Sequence, residues 1–186
     1  IKVWSELNGK WACSATLSAH DEWVASIVSL SDGRLISGSF DKTLKVWVES
    51  NGQWHCEDTL EGHQGVVLCL AVLDDNSVVS GSDDYNLMLW RESDSKWMCV
   101  STLDPGIGFL SSIIKHKDKI IAVGMYGITV CKINSNNIIL MNNVYLYKDA
   151  YQNAREGQYV ATTPFEKGRY WQTAIINGKR LPADPE

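Results

Sequence analysis

Two stretches of the chain hold a serine, an aspartate and a tryptophan at one fixed spacing. In SGSFDKTLKVW, Ser37 is followed by Asp41 and Trp47; in SGSDDYNLMLW the same steps join Ser80, Asp84 and Trp90. A histidine stands nearby in each case. Serine, histidine and aspartate are the parts of a hydrolytic triad, in which the imidazole takes the serine proton and the carboxylate holds the imidazole. They are equally the parts of a buried framework in which each polar group satisfies another. The pattern argues for the framework. It occurs twice at identical spacing, and no strained Gly-x-Ser-x-Gly elbow leads from a strand into a helix.

Other groups that could do chemistry lack the company they would need. His55 and His116 are isolated, and the KHKDK run around His116 reads as a solvated turn between strands. The pairs Asp74-Asp75 and Asp83-Asp84 lack the ligand spacing of a calcium loop. There is no phosphate loop, nucleotide fingerprint or zinc motif, so neither a metal nor a cofactor is expected. The net charge is −5, from 17 basic and 22 acidic residues, with no basic stripe. That balance argues against a mainly electrostatic grip on nucleic acid or an anionic membrane. Lys115, Lys117 and Lys119 form the single basic cluster.

The elements that must position these residues follow from a repeat of 43 residues. Trp4, Trp47 and Trp90 keep that step, as do Trp11, Trp54 and Trp97, and Leu17, Leu60 and Leu103. Between the first two series lie Asn8-Gly9, Asn51-Gly52 and the degenerate Asp94-Ser95. Asn-Gly suits a type I′ hairpin, whose two central residues need positive φ. The segments VASIVSL, RLIS and TLKVWV are short, rich in aliphatic and β-branched residues, and bounded by turn formers, as strands are. No helical period of ten or more residues precedes residue 148. One unit is therefore four short strands joined by hairpins. Such a sheet cannot bury both faces alone, so units must stack. Cys13, Cys56 and Cys99 share the 43-residue step, which predicts equivalent buried apolar positions in a reducing compartment.

These residues resemble the WD-repeat family, whose unit runs about 40–45 residues from a Gly-His pair to a Trp-Asp pair. Here the first pair reads Ala19-His20 and Gly62-His63. The second reads Trp4-Ser5, Trp47-Val48 and Trp90-Arg91, without the aspartate in any copy. The resemblance covers about residues 1–133 and implies an all-β fold of propeller blades. It divides the chain into a half blade (1–17), blades 18–60 and 61–103, a degenerate blade (104–148) and a C-terminal extension (149–186). In the degenerate unit Pro105-Gly106 replaces Gly-His, Gly127 the aspartate and Cys131 the tryptophan, and its turn is two residues shorter. By family position, His20, Ser37, Asp41 and Trp47 form one hydrogen-bonded tetrad, and His63, Ser80, Asp84 and Trp90 a second. Both are structural. The upper-surface positions of the family fall on Trp23, Ala25 and Phe40 in one blade and on Val66, Leu68 and Asp83 in the next.

The expected function is a non-catalytic protein–protein interaction scaffold that takes a protein or peptide through these loop residues, in the cytoplasm. The alternative is an accessory repeat domain of a larger enzyme, its catalytic part outside the repeats or in the C-terminal segment; 134–186 holds no histidine or cysteine. Three to four blades form an incomplete ring, and the chain opens on Ile1 within strand-like sequence. A longer propeller or an oligomer is therefore expected. Within 149–186, DAYQNAREG reads as a short helix and YWQTAIINGKRL as a strand and turn.

Overall fold

The computed structural model describes residues 1–145 and two short strands beyond them, Ile175–Ile176 and Lys179–Arg180. The helix expected at 149–157 lies outside the described residues, as does most of the C-terminal extension. The order begins with a hairpin, β1 (Lys2–Leu7) and β2 (Lys10–Thr16). Next comes a four-stranded sheet of β3 (Val24–Ser29), β4 (Leu35–Ser39), β5 (Leu44–Ser50) and β6 (Gln53–Leu60). The second sheet holds β7 (Val67–Val72), β8 (Val78–Ser82), β9 (Leu87–Ser93) and β10 (Lys96–Leu103). The third holds β11 (Leu110–His116), β12 (Lys119–Gly124), β13 (Gly127–Ile133) and β14 (Ile138–Tyr145). The pair Ile175–Ile176 and Lys179–Arg180 is antiparallel. The described residues are all-β. Every sheet is an antiparallel meander, and the sheets stack as propeller blades in an open ring.

The turns explain the meander. Asn8-Gly9 and Asn51-Gly52 adopt φ values of 53° and 75°, and of 54° and 76°, the type I′ conformation that matches the strand twist. Asp94 and Ser95 take the same shape at 51° and 60° without a glycine. At the other end of each sheet, a four-residue turn (40–43, 83–86) joins the second and third strands. In the third sheet that turn is only 125–126, the shortening expected from the sequence.

Stacking is written in the period-two pattern of the strands. Along β9, Leu87 and Leu89 face a cluster shared with Leu110, Ile113 and Ile120, whereas Met88 and Trp90 face one shared with Ile36, Val46 and Leu60. The middle blade is therefore covered on both faces. Among the described residues the outer blades are covered less completely: Ile27 and, on the far side, Ile114 and Met141 are exposed. The same contrast marks the tryptophans. Trp47 and Trp90 are 2% exposed, but Trp4, in the two-stranded unit, is 55% exposed.

Glycine sets how closely blades approach. A Cβ on Gly38 would stand 2.5 Å from Val67 Cγ1, and one on Gly81 would stand 2.7 Å from Cys69 Sγ and 2.9 Å from Leu110 Cβ. The inner strand of each blade thus lies against the bare backbone of its predecessor. At the lower edge Arg34 clamps two blades, donating to Asp32 at 2.9 Å and Glu57 at 3.3 Å, and reaching Glu92 of the next blade at 2.5 Å. Ser31 N–H donates to Asn76 Oδ1 across the same seam.

One expectation is overturned. Cys13 and Cys99 are exposed and Cys56 is half-buried; the buried cysteines are Cys69 and Cys131. The repeating three lie on the outermost strands, each opposite a tryptophan and beside a shift in strand register. Their thiols donate to the carbonyls of Ala15, Asp58 and Ser101, two residues on. The repeat marks a bulge on the solvent-bordering strand, not a core position.

Gly81→Ala is expected to lower the urea midpoint by an amount equivalent to about 1–3 kcal/mol, because the new methyl overpacks the seam against Leu110. An unchanged midpoint would show that the seam is looser than these distances imply.

Candidate functional site

Each of the two matching blades brings four polar groups from four elements together. In the first, His20 comes from connection 17–23, Ser37 from β4, Asp41 from turn 40–43 and Trp47 from β5. His20 Nδ1 lies 2.6 Å from Asp41 Oδ2, and Nε2 lies 2.7 Å from Ser37 Oγ. Trp47 Nε1–H donates to that same oxygen at 2.8 Å. The second blade repeats the set. His63 lies 2.8 Å from Asp84 and 2.7 Å from Ser80, and Trp90 donates to Ser80 at 2.8 Å.

Donor bookkeeping fixes the direction of each chain. An ionised carboxylate only accepts, so Nδ1 carries the proton and Nε2 accepts from the serine hydroxyl, whose oxygen receives the indole N–H. This is the polarity of a catalytic triad. What prevents triad chemistry is access. Ser37 and Ser80 are fully buried, their oxygens are occupied by tryptophan, and no substrate carbonyl can reach them.

The aspartates also close the turns. Asp41 accepts from the backbone N–H of Asp21 and of Thr43, and from the Thr43 hydroxyl. Asp84 accepts from the N–H of Gln64 and Asn86. The second serine of each SGS run adds a further tie. Ser39 Oγ accepts from Asp41 N–H and donates to the Trp23 carbonyl, while Phe40 N–H donates to that same carbonyl. These partners are visible in the sequence only as the small polar residues flanking the aspartate.

The upper-surface positions sit on the loops so fixed. Trp23 is 76% exposed and Phe40 38%, with ring centroids 5.7 Å apart and planes tilted by 45°. Ala25 is exposed on β3; Val66 and Leu68 are half-buried. Asp83 is exposed, and its carboxylate accepts the Val66 N–H at 2.6 Å, so part of its capacity is spent within the blade. The degenerate blade forms no tetrad. There Asn143 Nδ2 donates to the Pro105 carbonyl and contacts the Tyr145 hydroxyl, tying connection 104–109 to β14. Cys131 is buried where the other blades have tryptophan.

Burial holds both tetrad histidines below their ordinary pKa, the adjacent carboxylate opposing it less strongly. Burial pushes Asp41 up, but the hydrogen bonds from Thr43 and His20 outweigh it and hold the group at about 2. Asp84 is lowered in the same way, burial being outweighed by Asn86, His63 and Gln64. The folded state thus contains a neutral imidazole beside an ionised carboxylate. Below about pH 6.5 the unfolded histidines take up protons that the native ones resist. Stability is therefore complete above that value and falls as pH drops, by at most about 1.4 kcal/mol per pH unit for each histidine. The aspartates add a second loss from about pH 3.8 downward. The urea midpoint is expected to fall between pH 7 and pH 5, and a His20→Gln/His63→Gln variant should lose most of that slope. A wild-type midpoint that rises on acidification would contradict the assignment.

Comparison with known proteins agrees with this geometry. The WD domain, G-beta repeat family matches residues 11–48 and 54–91, each match running from an outer strand through one complete tetrad. No curated protein matches the chain. WD repeats generally mediate protein–protein interaction and are typically non-catalytic scaffolds. Residues 11–48 and 54–91 are thus two repeats of the WD-repeat family, each set in a four-stranded antiparallel blade.

Proposed function

We propose that this chain is a non-catalytic scaffold that binds a protein or peptide partner through the upper loops of its blades, centred on Trp23 and Phe40. The observation that carries this reading is the pairing of those two rings. An indole 76% exposed to water gains little from folding. The backbone that carries it is nonetheless held in place, the Trp23 carbonyl accepting from the Phe40 N–H and the Ser39 hydroxyl. Large aromatics presented rigidly on a loop are the residues most often found at the energetic centre of an interface. Val66, Leu68 and Asp83 extend the same face into the next blade. A cytoplasmic setting belongs to this reading, since exposed thiols such as Cys13 and Cys99 suit a reducing compartment.

The test is a pull-down from matched cell extract, comparing the chain with a Trp23→Ala/Phe40→Ala variant whose circular dichroism is unchanged. Partners captured by the wild type should be lost from the variant, with affinity reduced on the order of 30-fold or more. Capture that is equal for both proteins would remove the upper face from consideration.

A further inference from the structure

The upper face carries a second aromatic feature, at the seam between the second and third four-stranded blades. A cleft of about 240 Å³ is lined by Tyr85, Asp104, Gly106, Gly108 and Tyr126. That is below the size usual for a small-molecule site, and it has room for one long side chain. None of its lining residues is basic.

Three features of the lining point to a cation. First, two tyrosines and a carboxylate line the same cleft, and cations are drawn to aromatic faces as well as to carboxylates. Only Oδ1 of Asp104 is engaged, by the Gly106 N–H at 2.7 Å; Oδ2 has no protein partner among the described residues. Second, Tyr85 is presented and not packed away. It occupies the left-handed turn position (φ +74°) that Lys42 holds in the preceding blade (φ +71°), and it is 53% exposed. Third, the face around the cleft is acidic. Connections 17–23, 40–43, 61–66, 83–86, 104–109 and 125–126 carry seven carboxylates, one of them Asp104, against a single lysine, Lys42. A field of that sign favours positively charged partners.

The cleft is also built rigidly. Tyr126 N–H donates to the Ile107 carbonyl at 2.9 Å, and Asn143 holds the Pro105 carbonyl at 2.5 Å. A Cβ on Gly108 would meet the Tyr126 ring at 2.9 Å, so the bare backbone there is what lets the ring lie against this wall.

We infer that the Tyr85–Tyr126–Asp104 cleft receives the cationic end of an arginine or lysine side chain from a basic peptide segment of the partner. This inference rests on the upper face being the binding face and specifies the chemistry of what binds there. The cation would lie against the tyrosine rings, with Asp104 as its counter-charge.

The experiment uses the 186-residue chain and a fluorescein-labelled Gly-Arg-Gly-Arg-Gly-Arg-Gly peptide, with the Gln-for-Arg peptide as control, read by anisotropy. The arginine peptide should bind more tightly than the control, and the preference should shrink as salt is raised. Tyr85→Ala should weaken binding about 3- to 10-fold while Tyr85→Phe, which keeps the ring, stays within about 2-fold. Asp104→Asn, which keeps an acceptor for Gly106, should weaken it by a comparable factor. Equal affinity for the two peptides, or arginine-peptide binding unmoved by Tyr85→Ala and Asp104→Asn, would overturn the inference. If those variants still lose nothing while Trp23→Ala/Phe40→Ala loses its captured partner, the cleft fails and the upper-face reading stands. If the cleft variants weaken the peptide but the Trp23/Phe40 pair proves irrelevant to capture, the cleft stands and the centre of the face moves to it.

Discussion

The structure depends on a buried relay of hydrogen bonds in which tryptophan donates to serine, serine to histidine, and histidine to aspartate. Its importance lies in where the four residues come from. Each relay joins the third strand, the second strand, the turn between them and the connection entering the blade. A four-stranded meander on its own leaves those two loops free at one end of the sheet. The relay fixes both to the strands, and the aspartate then gathers the backbone N–H groups of the loops around itself. A neutral imidazole is essential to this, because only the neutral ring both donates and accepts.

That one arrangement separates the two halves of the molecule's chemistry. Below the relay lie apolar seams and the Arg34 clamp, which stack blade on blade. Above it lie loops whose conformation is set by the relay histidines and aspartates and not by the aromatic side chains they expose. Trp23, Phe40 and Tyr85 can be exposed, or held at positive φ, because the strands beneath them carry the stability. The same residue types that could have made a hydrolytic triad here make a support. The difference is access to the serine oxygen, which in both blades is filled by an indole N–H.

Much of this is legible in the sequence because it is local or periodic. The Asn-Gly turns are set by two adjacent residues, and the strand pattern by alternation within six. The relay residues follow from a family spacing, and the structure brings each set within hydrogen-bonding distance. The cysteines mislead because a 43-residue step says which positions are equivalent, not which side of a bulged outer strand faces water. The degenerate blade keeps its strands, since these need only aliphatic alternation, but replaces its relay with Asn143, a residue with no counterpart in the motif. The Tyr85 cleft is not legible at all. It assembles from three connections about 20 residues apart, two of them in the blade where the motif has decayed.

If the relay, rather than the strands alone, holds the upper loops, cutting it must loosen them. Hydrogen–deuterium exchange of Asp84→Ala against wild type measures this directly. The substitution leaves His63 Nδ1–H and the amides of Gln64 and Asn86 without their acceptor. Exchange is predicted to accelerate in 61–66 and 83–86 while the core of β11–β14 keeps its protection. Unchanged exchange in both loops would contradict the central role of the buried hydrogen-bond chain.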